Sequence, residues 1–438
     1  MSRLPPLRVG VLVDLHWGPN AGGHVKTWER LSAAAAALGE LEREPSVDLT
    51  VHFLGAQDAT HAVARNVRYR IHRPLFSTSG LPFLSHMPDH TDLAPHNPRL
   101  GSRLRGYDII HTTDGTFTSA RTAARVARRH GIPLTHSVHT TTPVYTRVFT
   151  AAMVERLAGG RLAGLLLDRL DVAGRAEARM QQRLDEHLAR CAFVLASRAD
   201  DRDRLLGLLG PDRVGLLRRG MDHRLFDPAR RDRGWLEQTF GIPSGRQVII
   251  CVGRLDPIKN VLLLGEAVRL LIERGSPVHL LCPGKGADRD ALVERLGERV
   301  TCPGVLDPDT LARAYASSDV CAQPAVIEEL SNAVLEATSS GLPLLVGDAS
   351  GSARFVVDGE TGFVVDGTTP AAWAGALGRV LDDPARAAQM GQAARRWSLA
   401  RVPSWPQVLA EDLLPVWRRA ASQLNQGLAV DGAGPNEP

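Results

Sequence analysis

Short apolar runs alternate along this chain with longer amphipathic stretches. Residues 8–15 (RVGVLVDL) are a continuous apolar run ending in a turn, the pattern of a central parallel strand covered on both faces. A loop with Gly18, Pro19, Gly22 and Gly23 follows, then an alanine-rich helix. Further strands are predicted over 49–54, 67–71, 107–111, 133–138, 191–196 and 213–217. Helices are predicted over 119–130, 147–170 with a break at Gly159-Gly160, 176–189 and 199–209. A second series starts at 247–252 and continues through strands at 278–282, 319–323 and 342–346. Its helices fall at 262–274, 288–296, 310–317 and 331–340.

Two successive series of this kind predict an α/β protein of two Rossmann-like, doubly wound domains facing each other across a cleft. The first domain is expected over 1–220. A polar, arginine-dense linker with two prolines follows at 221–245, then a second domain over 246–402. An amphipathic helix at 403–424 crosses back, and a Gly- and Pro-bearing tail at 425–438 is expected to be disordered. The stretch 77–104 carries His86, His90 and His96 at irregular spacing without cysteine partners. It is expected as a solvated loop of lid or acceptor-side type, not a metal site.

Composition narrows the function classes. The chain has 438 residues, 44% hydrophobic and 23% charged, with a net charge of +4. That balance, without a basic block, gives no footing for nucleic-acid binding. The five cysteines form no C-x-x-C and sit in apolar stretches, so reduced thiols are expected rather than disulfides or zinc ligands. No secretory leader pattern and no membrane-spanning run is present, which points to the cytoplasm. The basic stretch 147–170 reads first as a packed helical hairpin and second as a peripheral contact at the inner membrane face. Of 52 cationic residues only Lys26, Lys259 and Lys285 are lysines, and each lies in or just after a glycine-bearing turn. A compact point charge suits a confined phosphate where a guanidinium fork does not fit.

The candidate chemistry gathers at turns that follow strands, where ligands bind in open α/β sheets. In the first domain, Gly22 and Gly23 let a helix N-terminus approach an anion, although a plain tight turn would look the same. No G-x-G-x-x-G accompanies them, which disfavours a dinucleotide site. His16, Trp17 and Lys26 flank this turn on the acceptor side. His139 follows the 133–138 strand among threonines, placed to bond a sugar or to cap the next helix. In the second domain, Gly253-Arg254-Leu255-Asp256-Pro257-Ile258-Lys259 follows one strand and Pro283-Gly284-Lys285-Gly286 the next. AVIEELSNAVLEA at 325–337 follows another. There Ser331 is expected to cap a helix that begins at Asn332, with Glu328 in the loop and Glu336 inside the helix. Arg254 and Lys259 fit a diphosphate, and Glu336 fits vicinal ribose hydroxyls.

With these residues in this order, the chain resembles the retaining glycosyltransferases of family 4, the glycogen-synthase-like group with the GT-B fold. The resemblance is carried by Gly22-Gly23, His139, RRGMDHRLFDP at 218–228, Gly253-Arg254-Leu255 with Lys259, Glu328-x7-Glu336, and Asp358-Gly359 with Gly362-Phe363. It implies a nucleotide-diphosphate sugar donor (UDP-, GDP- or ADP-linked) and a glycan, lipid-linked or small-molecule acceptor. It further implies no cofactor and no separate metal. Arg254 and Lys259 would hold the diphosphate, helped by Gly23, Gly253 and Gly284. Glu336, with Ser331 and Asn332 on its helix, would meet the ribose, Glu328 the transferred sugar, and His139 would stand near that sugar. Glu329 is a rival for the sugar contact, which the eight-residue offset gives to Glu328. A nucleotide-sugar epimerase and a non-catalytic nucleotide-sugar-binding subunit are the alternatives. The first calls for more carboxylates than these loops carry.

Overall fold

The computed structural model describes residues 5–18, 21–42, 46–77, 91–139, 142–325 and 331–431. They divide into two compact units, residues 1–219 with 405–438, and residues 220–404.

The first unit is built on an eight-stranded sheet. Its strands are β1 (Leu7–His16), β2 (Val47–Leu54), β3 (Ala59–Ala64), β4 (Val67–His72), β5 (Ile109–Thr112), β6 (Leu134–Val138), β7 (Phe193–Ala196) and β8 (Val214–Leu216). Their order is β3-β4-β2-β1-β5-β6-β7-β8. Every pairing is parallel except β3 with β4. The central β1 buries Val9, Val11, Leu12 and Val13, as its unbroken apolar run requires. β3 lies outside the predicted set. Its Ala59–Ala64 segment is mostly exposed and holds its place as the outer arm of a hairpin, so it leaves little hydrophobic signal. Within the stretch expected as a loop, Pro98–Leu104 is helical. Asn97 caps it by accepting the Leu100 N–H (3.1 Å), and the proline sits in the first turn, where its missing N–H costs nothing. His86 and His90 lie outside the described residues.

The C-terminal segment belongs to this unit. Trp405, Val408, Leu409, Leu413 and Trp417 are buried in the same cluster as β1, β2 and the helix Gly23–Leu41. The helix at the end runs from Leu414 to Asp431, so residues 425–431 are helical rather than part of a tail.

The second unit has six strands, β9 (Gln247–Ile250), β10 (Val278–Pro283), β11 (Val300–Gly304), β12 (Val320–Gln323), β13 (Leu344–Gly347) and β14 (Gly362–Val365). They are all parallel, in the order β11-β10-β9-β12-β13-β14. β11 and β14 are the two edges, where one pairing suffices and the apolar pattern is short. The 221–245 segment is not a free linker. Met221, Phe226, Leu236 and Ile242 are buried in this unit's core. Three of its arginines are ion-paired there, Arg231 and Arg233 on Asp319 (3.1 and 3.0 Å) and Arg230 on Asp309 (2.8 Å). Asp232 caps a helix over Arg233–Phe240, which ends on left-handed Gly241. The polar composition that suggests a linker is this lattice of ion pairs.

Candidate functional site

In the second unit two loops at the C-terminal edge of the sheet are packed backbone to backbone. The Gly253 N–H donates to the Pro283 carbonyl (3.1 Å), Leu255 N–H to the Lys285 carbonyl (2.9 Å), and Asp288 N–H to the Leu255 carbonyl (2.9 Å). A Cβ on Gly284 would stand 1.7 Å from the Gly253 carbonyl oxygen, and one on Gly286 would stand 2.0 Å from that of Leu255. Gly284 also has φ +151°, a conformation other residues rarely adopt. Glycine is therefore required at these steps by close approach.

Asp256 organises the charges of the first loop. Its carboxylate accepts the Lys259 N–H (3.0 Å) and pairs with the Arg254 guanidinium (3.1 Å). The Lys259 stem lies over Gly253, its Cε 3.4 Å from where a Cβ would be. One carboxylate thus holds the Arg254 guanidinium and the Lys259 main chain in one loop. The D-P step marks a turn in the sequence, but only the structure makes Asp256 the anchor.

The third element is the helix Asn332–Ser339. Ser331 occupies its N-cap position in extended backbone, but its side chain makes no capping bond, contrary to expectation. Glu336 lies one turn inside and is 4% exposed. The buried Tyr315 hydroxyl donates to its Oε2 (3.4 Å). Burial, and then the Glu336 charge, hold that phenol far above its ordinary value, so it stays a donor. Tyr315 gave no signal in the sequence beyond helical periodicity. Glu328 and Glu329 lie outside the described residues, as does residue 140, next to His139.

The first unit carries a separate group. Gly22 is the N-cap of Gly23–Leu41, without a side-chain cap. Lys26 is ion-paired to Glu29 (2.8 Å), and the Trp17 indole N–H donates to the same carboxylate (2.8 Å). Glu29 therefore already offsets part of the charge expected to meet a ligand at Lys26. His16 closes β1 and is half-buried. His139, just past β6, stacks on His24 (centroids 4.4 Å apart, rings at 23°). It also lines a small cavity with Thr27, Ser197, Arg218, Arg219 and Trp405. Burial first, with Arg219 adding to it, lowers His24 to about 3; burial, then His24 and Arg219, keep His139 well below its ordinary value. Both rings are neutral near pH 7. Arg219 donates to Thr27 Oγ1. The sequence contained Arg219 inside its R-x-G motif, with no sign that it faces a histidine pair.

Asp14 is a further buried group, 3% exposed near the end of β1, with the Ser119 hydroxyl on Oδ1 (2.6 Å). Burial, and then the Asp114 charge, raise its pKa to about 7. The unfolded value is near 3.9, so the folded state holds the proton over that interval. The associated stability is complete below about pH 4 and is lost as pH rises through 7. Asp14→Asn is expected to match wild type at pH 4 and to exceed it increasingly up to pH 7, by at most about 4 kcal/mol above that. Urea midpoints taken from pH 4 to 8 check this; parallel curves would show that Asp14 ionises freely.

Residues 234–397 match the family model described as glycosyl transferases group 1. The D-inositol 3-phosphate glycosyltransferase of Rhodococcus erythropolis is 30% identical over 343 residues, 75% of this chain and 72% of the relative. That of Nocardia farcinica is 29% identical over 348 residues, 76% of this chain and 71% of the relative. Among solved structures, sucrose-phosphate synthase from Thermosynechococcus elongatus superposes with a TM-score of 0.64 at 18% identity, over 98% of this chain and 99% of its own. Anabaena HepE in complex with UDP-glucose does so with a TM-score of 0.59 at 16% identity, over 97% and 100%. The α/β fold expected from the sequence, with two parallel-sheet domains, is the GT-B fold of these transferases.

Proposed function

The chain belongs to the group 1 glycosyl transferases, and from that premise we propose that it moves a hexose from a nucleotide-diphosphate sugar to an acceptor with retention of anomeric configuration. The observation that carries this reading is the packed pair of glycine loops, with Arg254 and the Lys259 main chain both held by Asp256 beside them. Backbone so close leaves room for a diphosphate against the main chain, and the two cations supply its counter-charge. As the glycosidic bond breaks, negative charge grows on the leaving diphosphate. A cation aimed there lowers the barrier more than it tightens binding. The leaving phosphate then takes the proton of the attacking hydroxyl on the same face of the sugar. No metal ion is needed in this scheme. Glu336, on the same helix as Ser331 and Asn332, meets the ribose, and Glu328 the transferred sugar.

Support for the donor comes from HepE, solved with UDP-glucose, and support for a small phosphorylated polyol acceptor from the relatives named for D-inositol 3-phosphate. Thermal-shift measurement with UDP, GDP and ADP tests the donor. A bound nucleotide at one hundred times its Kd stabilises the native state by about 2.7 kcal/mol, and UDP is expected to give the largest shift. Glu328→Ala is expected to keep that shift and lose most of the transfer. No shift with any nucleotide, and no transfer from any UDP-, GDP- or ADP-sugar to inositol phosphates or glycans, would sink the proposal. A shift without transfer would instead favour a binding subunit. We place the enzyme in the cytoplasm. With a lipid-linked acceptor, the exposed Val148, Leu162 and Leu165 of the basic stretch 147–170 would meet an anionic membrane. Co-sedimentation with phosphatidylglycerol but not phosphatidylcholine vesicles would show it.

A further inference from the structure

Polar side chains stand at alternate positions inside two buried strands, His111 on β5 and Thr135 and Ser137 on β6. All are fully buried, and no part of the transfer scheme above uses them. They form one hydrogen-bonded line. The Trp417 indole N–H donates to His111 Nδ1 (3.2 Å), and Thr135 Oγ1 stands 2.9 Å from the same nitrogen. His111 Nε2 is 2.8 Å from Ser137 Oγ, and Ser137 Oγ is 2.7 Å from His139 Nε2.

The polarity of this line follows from its first member. Indole nitrogen can only donate, so His111 Nδ1 must accept. Burial lowers His111 to about 3, so the ring is neutral and carries its one proton on Nε2. That proton goes to Ser137 Oγ, which passes its own hydroxyl proton to His139 Nε2. A neutral His139 must then hold its proton on Nδ1. There Nδ1 is enclosed and finds no acceptor among the described residues, and Nε2 of the stacked His24 is likewise without a partner. A buried N–H left unpaired is unfavourable, and a ligand oxygen would remove that cost.

We propose that Trp417, His111 and Ser137 are positioning residues that lock His139 as the Nδ1–H tautomer, a neutral donor aimed at a hydroxyl oxygen of the sugar substrate. The inference rests on the transferase reading for its ligand, but not for the tautomer. The locked ring cannot offer a lone pair at Nδ1, so it selects an oxygen acceptor and repels a donor. Its first link comes from a helix more than three hundred positions away in sequence, so the C-terminal segment reaches the site through the core of its own unit.

The test is the side-chain ¹⁵N spectrum of histidine-labelled full-length protein without substrate, with His139 assigned by its loss in His139→Gln. A protonated Nδ1 and a bare Nε2 are expected. Ser137→Ala should mix the two tautomers and raise the donor KM about tenfold with kcat and Tm little changed. Ser137→Thr, which keeps the hydroxyl, should restore both spectrum and KM. Trp417→Phe, which keeps the ring contacts, should mix the tautomers of His111 and His139 together. Wild-type His139 protonated on Nε2 overturns the proposal, as does a Ser137→Ala protein with unchanged tautomer and KM. A wild-type protein that transfers no sugar would instead count against the transferase reading, because the spectrum is taken without substrate.

Discussion

Lys259→Ala is expected to lower kcat/KM for the nucleotide sugar by about 10²–10³-fold, mostly in kcat, with a Tm close to wild type. The size follows from the charge it would face in the proposed scheme. A cation placed where negative charge develops in a site shielded from water is worth roughly 3–4 kcal/mol, and each 1.36 kcal/mol is a factor of ten. The split toward kcat follows because the leaving diphosphate carries more charge in the transition state than in the ground state. Stability should hold because the turn is fixed by the Lys259 main chain on Asp256, which alanine retains. Lys259→Arg is not expected to rescue. The stem lies closely over Gly253, and a planar fork needs more width than an ammonium. Steady-state kinetics on the two variants decide the matter, and an unchanged kcat/KM for alanine would remove Lys259 from the chemistry.

Gly284→Ala is expected to cost on the order of 3 kcal/mol or more, and to abolish nucleotide-induced stabilisation. Two effects add. The φ of +151° disfavours any L side chain, and the new Cβ would fall 1.7 Å from the Gly253 carbonyl oxygen. Neither atom can swing aside, since both belong to backbone already bonded across the two loops. Gly359→Ala separates the effects. That glycine has φ +76°, with open space where a Cβ would go, so strain alone acts, at about 1 kcal/mol. At roughly 2–4 °C per kcal/mol, the two variants should be distinguishable by melting temperature. Equal shifts would mean that the loops part without penalty and do not form a fixed cradle.

Much of this was legible in advance because the signals are local. An apolar run of four to eight residues reads as a strand wherever it folds, and parallel strands carry all their following turns to one edge. The loops at 253–260 and 283–286 therefore fall on one edge from the sequence pattern alone. The departures have the opposite character. The 221–245 segment reads as a linker because its arginines are polar in sequence, and only the fold brings Asp309 and Asp319 against them. Ser331 has the right residue type for a cap, but its side chain makes no capping bond. Tyr315, Asp256 and Asp14 carry no such signal, because a lone tyrosine or aspartate announces nothing until its neighbour is known.

The sequence by itself determined the α/β class, the two series of strands and helices, and which glycines and cations follow which strands. These depend on periodicity and residue type, properties that a chain keeps over one turn of helix or one strand. Tertiary structure alone decided which of those glycines must be glycine, where Gly284 meets Gly253 across thirty-one positions. It also assigned residues 221–245 to one unit and 405–431 to the other. It alone joined Trp417 to His111, and through Ser137 to His139. Contacts at such separations are fixed by how faces pack in three dimensions, and no local pattern encodes the partner.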